Sequence, residues 1–576
     1  MLDTPLDQAR TSHARTVGIA SAIWAGSILL SRVMGLVREQ IIGRTLGASR
    51  QADLYFASFT LPDFLNYLLA AGALSIVFIP IFVEHLERGE EKEGWEAFSA
   101  IANFIVVAGS LAIVLLMILA RPLAGIVAPG FTDPGDTETL VRLIRIVLPA
   151  QFFHVIGGLL SAALQARDRH LLPAMAPLVY SGCIIAGGLV GANYPGLQAD
   201  GFAWGVLAGS ILGPFALPLY GCRGIRMRWS AIASLRSPAL RRYLWLSFPI
   251  MLGFSIVVVD EWIIKNQASY LAAGTLSYLQ YGRTLMKVPI GVFGMAVGVA
   301  AYPTMSRMVA AGQVTQAYSV LCRAVRLMLF MTFAAQVCLT VAGFEAAYLI
   351  WGIFSSRFSV ADAQATGTIL MLLCLGLGGW AAQSVISRGF YALGSTWLPT
   401  ITGTFIAVAM IPAYVLLRHG WGAAGLAIAS SAAILVYVFL LGWLQHRRFR
   451  REAAARNTSL DAAPGMLDAA LRLAAAAGIA IGVGLTLRGL LLALLPGVQL
   501  GHVLTRAVVL CLVGTAAYLL VARALGVRDL DEVRRMLLRR TRAHSAHAVP
   551  ERGGAGASAH PDRCGMGAAG QHRSAE

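Results

Sequence analysis

IANFIVVAGSLAIVLLMILA, residues 101–120, is a run of twenty residues without an ionisable side chain. A helix rises about 1.5 Å per residue, so a helix of this length matches the hydrocarbon core of a bilayer. Backbone amides inside lipid must be hydrogen-bonded within the chain, and the run is too long for a barrel strand. The stretch therefore predicts a membrane-spanning helix.

The composition of the whole chain agrees with a lipid-embedded protein. Of its 576 residues, 57% are hydrophobic and 13% are charged, whereas soluble domains carry about 25% charged residues. We assign fourteen apolar runs as spans: 17–45, 55–83, 97–127, 139–165, 173–193, 201–221, 243–264, 271–305, 320–343, 363–392, 398–417, 422–444, 468–494 and 501–525. The predicted fold class is all-α, a polytopic membrane protein of about fourteen transmembrane helices.

The net charge of +17 is concentrated in alternate connections between these spans. The basic connections hold Arg88 and Lys92, six arginines from Arg223 to Arg242, and five from Arg447 to Arg456. Because basic residues accumulate in the cytoplasmic loops of membrane proteins, these connections and both termini are predicted to be cytoplasmic. This distribution accounts for the charge, so we expect a membrane environment and no nucleic-acid partner.

The sequence also repeats itself. Val288-Pro289 repeats Leu61-Pro62, and Lys265 repeats Arg38, with the same number of residues between the members of each pair. Two further motif pairs follow in the same order. Such a repeat predicts two six-helix lobes of the same topology. The predicted organisation is an N-lobe over 1–228 (helices 1–6), a C-lobe over 229–447 (helices 7–12), helices 13–14 over 448–525, and a basic, disordered cytoplasmic tail over 526–576.

Motifs that would indicate enzymatic chemistry are missing from the sequence. The chain has no G-x-x-x-x-G-K-[ST] loop for nucleotide, no H-E-x-x-H and no G-x-S-x-G. Its seven cysteines are scattered singly, without metal-ligand spacing. We expect a transporter rather than an enzyme, with no cofactor and no metal.

Ionisable side chains within the apolar spans are candidate functional residues, because each costs about 2.5–3.5 kcal/mol at a helix centre. Arg32, Arg38 and Glu39 lie in the first span. The two arginines are about 9 Å apart along a helix, close enough to flank one cavity. The alternative is that Arg38 and Glu39 mark the outer end of the span. Near the second span, Asp53 suits an outer-end cap, and Asp63 a polar residue beside a proline kink.

Arg283 and Lys287 lie one helical turn apart in the eighth span, so they share a face. No acidic residue lies within four positions of either. We expect them to line a cation-rich cavity, the alternative being pairs with acids on another helix. Asp260 and Glu261 in the seventh span are candidates for that pairing, or for a cation or proton site. Excess positive charge between two repeated halves predicts an anionic substrate.

Residues 31–39, SRVMGLVRE, resemble the MurJ (MviN) lipid II flippase family. Further matching motifs are Leu46-Gly-Ala, Gly72-Ala-Leu-Ser-Ile-Val-Phe-Ile-Pro80, Tyr281-Gly-Arg283, Val288-Pro-Ile-Gly-Val-Phe-Gly294 and Gly389-Phe-Tyr-Ala392. The resemblance implies the MOP exporter superfamily fold, with fourteen helices in two lobes. It also implies a protein of the bacterial cytoplasmic membrane that moves the polyprenyl-diphosphate-linked peptidoglycan precursor lipid II from the inner to the outer leaflet. Cell-wall synthesis proteins are the partners it implies.

The resemblance also implies roles for individual residues. It assigns substrate binding to Arg32, Arg38, Asp53 and Arg283. Lys287 joins this set because it lies on the face of Arg283. A diphosphate group would be held by these cations in a cavity between the lobes.

Three positions depart from the family pattern. Asn66 and Tyr67 replace its basic pair after L-P-N, and Ala71 replaces the acid of its A-E-G-A. Three alternatives therefore stay open: an exporter of another lipid-linked oligosaccharide, a MOP-type drug exporter, and a non-transporting scaffold for cell-wall synthesis. A drug exporter would need an acidic cavity for cationic drugs, unlike the arginines found here.

Overall fold

The computed structural model describes residues 30–70, 77–231, 237–252, 256–458, 460 and 466–527, and within these ranges the chain forms helices joined by turns. The first eleven helices are α1 (30–46), α2 (Arg50–Ser58), α3 (Thr60–Ala70), α4 (Ile79–Glu87), α5 (Glu91–Ile118), α6 (Ala120–Val127), α7 (Pro134–Gln165), α8 (Leu171–Ala192), α9 (Gln198–Ser210), α10 (Leu217–Arg223) and α11 (Pro238–Leu252). The others are α12 (Ile256–Ala268), α13 (Thr275–Pro289), α14 (Met295–Ala310), α15 (Val314–Val341), α16 (Gly343–Ala347), α17 (Val360–Cys374), α18 (Leu377–Ala392), α19 (Trp397–Ala409), α20 (Ile411–Ala455), α21 (Met466–Leu494) and α22 (Leu500–Ala524).

The all-α membrane fold class is confirmed. Within the described ranges, nine helices are long and apolar enough to cross a membrane, or ten if the bent pair α17 and α18 forms one span. The count of fourteen stays a prediction, because three predicted spans include residues outside the description (17–29, 71–76 and 253–255). In addition, α20 runs through the junction of the eleventh and twelfth predicted spans, where Gly422 breaks the helix with a φ of 56°.

The described helices belong to one compact unit that ends at Val527. The division into an N-lobe and a C-lobe stays a prediction. The tail that was predicted to be disordered lies outside the described residues from Arg528 onward.

Proline widens one of the helices that carry candidate residues. Pro289 ends α13, and a π-helical segment, Ile290–Gly294, joins it to α14. Proline lacks an N–H and its ring clashes with the carbonyl one turn earlier, which disturbs the regular hydrogen-bond ladder. The wider turn brings Gly291 beside the Arg32 side chain of α1, whose guanidinium nitrogen lies 3.5 Å from where a Cβ would be.

Glycines allow α8 and α9 to pack with their backbones in close contact. A Cβ at Gly191 would lie 2.8 Å from the Gly201 Cα, and one at Gly205 would lie 2.7 Å from the Cys183 carbonyl oxygen. Side chains at these positions would force the helices apart. Small residues are the usual means of close helix packing in lipid, where no hydrophobic effect drives helices together.

A buried ion pair attaches the last two helices to α16. The Arg506 Nε of α22 lies 3.4 Å from the Glu345 Oε1 of α16, and both side chains are almost fully buried. Arg506 also donates to the carbonyls of Leu495 and Gly497 in the α21–α22 connection, at 2.6 and 3.2 Å. The arginine therefore holds this connection against the preceding part of the chain.

Candidate functional site

A cavity lined by charged side chains lies among α1, α2, α3, α8, α12 and α13. It contains about 540 Å³ of empty space, including its open mouth. Its charged lining residues are Arg38, Glu39, Asp63, Glu261 and Lys265, and the remainder of the lining is mainly aromatic and aliphatic. All four helices that carry predicted site residues, α1, α2, α12 and α13, thus contribute to the same cavity.

Arg38 and Glu39 form an ion pair on the α1 side of the cavity, with 2.7 Å between Nη2 and Oε1. The helix continues to residue 46, about two turns beyond the pair. The helix itself therefore ends beyond these residues, and the alternative that they mark the outer end of the span stays open. The Trp351 indole donates to the Glu39 carbonyl at 2.9 Å, which fixes this part of α1 against the π-helical segment Tyr348–Gly352.

Lys265 and Asp63 form a second pair at the cavity, between α12 and α3. The Lys265 Nζ lies 3.7 Å from the Asp63 Oδ2, and the lysine is 5% exposed. The sequence had matched Lys265 to Arg38 only as a repeat partner, and had not selected it as a site residue. A lysine among apolar residues was the available signal. The two repeat-related cations line the same cavity.

Arg283 does not line the cavity, and it pairs with Asp260 of the neighbouring helix. The Arg283 Nη2 is 2.5 Å from the Asp260 Oδ2, and the side chains are 3% and 1% exposed. Asp260 also accepts hydrogen bonds from the hydroxyls of Tyr414 and Ser430. Of the two arrangements that the sequence left open for Arg283, the structure shows the pair with an acid on another helix.

Lys287 is paired with the second acid of α12. Its Nζ lies 3.4 Å from the Glu261 Oε2, and the lysine side chain is 48% exposed. Because Glu261 lines the cavity, Lys287 lies at the edge of the cavity rather than in its wall. Arg32 is exposed and makes no ion pair with any residue in the described ranges.

Asp53 was predicted to bind substrate, but it caps another helix and does not line the cavity. It is 1% exposed. Its carboxylate accepts hydrogen bonds from the backbone N–H groups of Gly274 and Ser277, at 2.7 and 2.8 Å, and from the Ser277 hydroxyl at 2.6 Å. An acid at the N-terminus of α13 satisfies amides that lack an intrahelical partner. Asp53 therefore caps a helix other than the one beside which the sequence placed it, more than 200 residues further along the chain.

Arg388 is a charged residue of α18 that the sequence analysis missed. Its guanidinium lies against Gly298 of α14 and donates to the Ser384 carbonyl at 2.7 Å. The criterion that selected Arg32, a charged residue within an apolar span, also applies to Arg388. This arginine lies directly before Gly389-Phe-Tyr-Ala. Within the ranges that the structure covers, no three His, Cys, Asp or Glu side chains are placed to hold a metal ion.

The cavity is balanced in charge rather than rich in cations. Arg38, Lys265 and Lys287 each face an acid at 2.7–3.7 Å. A cation in such a pair can exchange its carboxylate for another oxyanion, and an arginine can hold a phosphate through two parallel N–H bonds. The arrangement therefore suits reversible binding of an anion, and each cation among the described lining residues has an acidic partner.

Comparisons with known proteins identify relatives across most of the chain. The family model described as "Lipid II flippase MurJ" matches residues 42–504. The "Probable lipid II flippase MurJ" of Rhizobium meliloti (strain 1021) is 27% identical over 540 residues, covering 91% of this chain and 97% of that protein. The structure of a lipid II flippase MurJ in an inward closed conformation aligns with a TM-score of 0.69 at 20% identity, over 88% of this chain and 99% of that chain. An inward-facing multidrug resistance MATE transporter of the MOP superfamily aligns with a TM-score of 0.58 at 15% identity, over 74% and 96%.

Proposed function

Because this chain belongs to the MurJ lipid II flippase family, we propose that it moves lipid II from the inner to the outer leaflet of the bacterial cytoplasmic membrane by alternating access. The lipid-linked substrate lies in the membrane, and its diphosphate and sugars must cross the hydrocarbon core. Enzymes of cell-wall synthesis at the outer leaflet are the partners that we propose for its product.

The charge-balanced cavity carries this proposal. A diphosphate brings oxyanions that compete with Glu39 and Asp63 for Arg38 and Lys265. We assign two further cations to the head group, Arg32 and Lys287. Arg32 is exposed on α1, and Lys287 is half-exposed on α13. The released carboxylates would remain close enough to recapture the cations when the substrate leaves.

Lys265 supports the assignment despite the departures from the family pattern. Asn66 and Tyr67 leave α3 without the family's basic pair. Lys265 places a buried ammonium group beside Asp63. Asp63 itself lies about one helical turn before Asn66 on α3. We propose that this lysine supplies, from α12, the positive charge that α3 lacks.

Two contacts are suited to closing the cavity at opposite ends. Asp53 joins α2 to the N-terminus of α13, on the side that the basic loops predict to be external. Glu84 of α4 accepts a 2.8 Å hydrogen bond from Arg242 of α11, on the side predicted to be cytoplasmic. We assign the two contacts as the outer and inner latches, which open in alternation.

Energy for net movement would come from the membrane rather than from nucleotide. The sequence has no phosphate-binding loop for ATP. One charge that crosses the membrane field gains about 2.3 kcal/mol per 100 mV, enough to reset a carrier. Similarity to the MATE transporter shows the fold alone, and a drug exporter is less favoured because acids in this cavity are matched by cations.

The test is substrate binding by purified protein together with complementation of a cell depleted of its own flippase. Wild-type protein should retain radiolabelled lipid II and restore growth, and excess unlabelled lipid II should displace the label. Lys265→Ala should lower retention at least tenfold. The matched control is Lys92→Ala, since Lys92 is an exposed lysine paired to Glu96 outside the cavity. Failure of the wild-type protein to bind lipid II or to restore growth at normal membrane abundance would refute the function.

A further inference from the structure

A groove with an apolar lining lies along α8 and α9, apart from the charged cavity. It contains about 1050 Å³ of empty space, including its open side. None of the described residues that line the charged cavity also lines this groove. Val190 of α8 and Trp204 of α9 line it and are 62% and 57% exposed. Because both residues lie on helices that are apolar enough to cross a membrane, the open side of the groove faces lipid. We call this space the hairpin groove.

Glycines in the lining bring the two helices of the groove into contact with each other. A Cβ at Gly187 would lie 2.8 Å from the Gly205 Cα, and one at Gly201 would lie 2.7 Å from the Gly191 Cα. Small residues of this kind are what a partner helix packs against in lipid. Here α8 and α9 use them for their own contact, so the groove suits a thin apolar chain better than a further helix.

The depth of the groove matches one leaflet of a bilayer. Its deepest lining residue on α8 is Cys183, nine residues before that helix ends at Ala192. On α9 it is Ala208, ten residues after the helix begins at Gln198. At about 1.5 Å per residue both distances are about 14–15 Å, which is half of a hydrocarbon core of about 30 Å. The basic loops predict that the shallow end is external, so the groove extends through the outer leaflet.

An ion pair lies at the shallow end of the groove. Asp200 lines the groove and is 7% exposed. Its carboxylate accepts two hydrogen bonds from Arg142 of α7, at 2.7 Å from Nε and 3.1 Å from Nη2. The Arg142 side chain is 46% exposed, and its third nitrogen, Nη1, is not used by Asp200. A guanidinium group has donors on more than one edge, so Arg142 can hold the carboxylate and a phosphate together.

We propose that the hairpin groove binds one phospholipid of the outer leaflet, with an acyl chain along α8 and α9 and its phosphate on Arg142. An amphiphile with one phosphate and a chain that reaches the bilayer midplane matches both the cation at the shallow end and the depth of the groove. The phospholipid is a bound component of the protein rather than its cargo. The inference therefore goes beyond lipid II transport and does not depend on it.

Site-specific photo-crosslinking tests the inference in the full-length protein. A benzophenone amino acid replaces Val190 in the groove or, as the control position, Leu504, which is 49% exposed on α22. Each position lies three residues from the predicted outer end of its span, so the two sample the same depth. The protein is reconstituted in vesicles of phosphatidylethanolamine and phosphatidylglycerol that carry radioactive phosphorus. The amount of folded protein in the vesicles is measured for each variant.

We expect labelling at Val190 at least fivefold above that at Leu504. Arg142→Ala should lower the Val190 signal to the level of Leu504. Arg145→Ala should not, since Arg145 is an exposed arginine about one turn further along α7. Because Arg142→Ala leaves the buried Asp200 without its arginine, the double variant Arg142→Ala with Asp200→Asn is also measured. It removes the unpaired charge and should show the same loss of labelling.

Equal labelling at Val190 and Leu504 would overturn the inference, because bulk lipid alone would then account for the signal. Full labelling of the double variant would also overturn it, since the phosphate would not need Arg142. Excess diacylglycerol with the same acyl chains should not suppress the Val190 signal, and suppression would refute recognition of the phosphate. Displacement by lipid II would assign the groove to the transported substrate, and a crosslink to a protein would assign it to a partner helix. Retention of lipid II by the same samples is measured separately, so each of these results leaves the transport function standing.

Discussion

Replacing Arg283 by alanine should destabilise the protein rather than merely weaken substrate binding. The arginine and Asp260 are 3% and 1% exposed, so its loss leaves a buried carboxylate whose remaining partners among the described residues are the hydroxyls of Tyr414 and Ser430. Breaking a buried pair by removing one partner costs about 3–5 kcal/mol. That is a large share of the roughly 5–15 kcal/mol that stabilises a typical domain. Membrane abundance and thermal stability should both fall.

The matched control is the neighbouring pair on the same two helices. Lys287 and Glu261 are 48% and 22% exposed at their side chains, and pairs at exposed sites contribute about 0–1 kcal/mol. Lys287→Ala should therefore leave abundance and thermal stability close to wild type. Unfolding can be followed with a thiol-reactive dye in detergent, because Cys222 and Cys374 are buried in the folded protein.

A compensating substitution separates the structural role from a binding role. Asp260→Asn removes the buried charge and keeps groups that can bond to Tyr414 and Ser430, so Arg283→Ala with Asp260→Asn should regain abundance. Restored growth of a flippase-depleted cell by the double variant would show that Arg283 is half of a structural pair. Normal stability of the Arg283→Ala single variant would refute the reasoning, and loss of complementation at that normal abundance would assign Arg283 to the substrate.

Four further outcomes follow from the contacts described. Arg38→Ala should abolish complementation at near-normal abundance, and Arg38→Lys should keep part of it. The control variant Arg121→Ala, at an exposed arginine, should complement fully. Complementation by Arg38→Ala would contradict the assignment of Arg38 to the substrate. Asp53→Asn weakens the cap on α13, so the outer side of the cavity should open more often. Engineered cysteines on that side should then react severalfold faster with a thiol reagent added from outside. Unchanged reactivity would contradict the role of Asp53 as the outer latch. The Arg242 guanidinium holds the pKa of the Glu84 carboxyl below its ordinary value of 4.5. The contact between Glu84 and Arg242 should therefore be complete above pH 4.5 and be lost as the pH falls through the lowered pKa. Cysteine crosslinking of α4 to α11 can follow this loss. The purified protein should not hydrolyse ATP, while an uncoupler should slow flipping in cells; stoichiometric ATP turnover would exclude the proposed energy source.

The sequence predicted the type of fold and most of the charged positions, because both depend on local pattern. Uncharged runs of about twenty residues indicate spanning helices without knowledge of their neighbours. Arg38, Glu39 and Glu261 stand out for the same reason, since a charge inside an apolar run is visible in one dimension. Each of the three lines the cavity.

Pairings between helices could not be predicted from such patterns. Asp260 and Arg283 lie on successive helices, and only the crossing of α12 and α13 decides whether they meet. Asp53 binds the N-terminus of a helix that begins 222 residues later, at Thr275. Hydropathy and spacing contain no information about such distant contacts. For the same reason the sequence predicted a cation-rich cavity, whereas the folded chain brings an acid to each of Arg38, Lys265 and Lys287.

Charge balance has a consequence for the return half of a transport cycle. After release, an empty carrier must move back through states in which its cavity lies in the hydrocarbon core, where each unpaired charge costs about 2.5–3.5 kcal/mol. The pairs Arg38–Glu39 and Lys265–Asp63 remove that cost while leaving both cations available to a competing oxyanion. The departures from the family pattern remove charge of both signs, since the basic pair at Asn66 and Tyr67 and the acid at Ala71 are lost together.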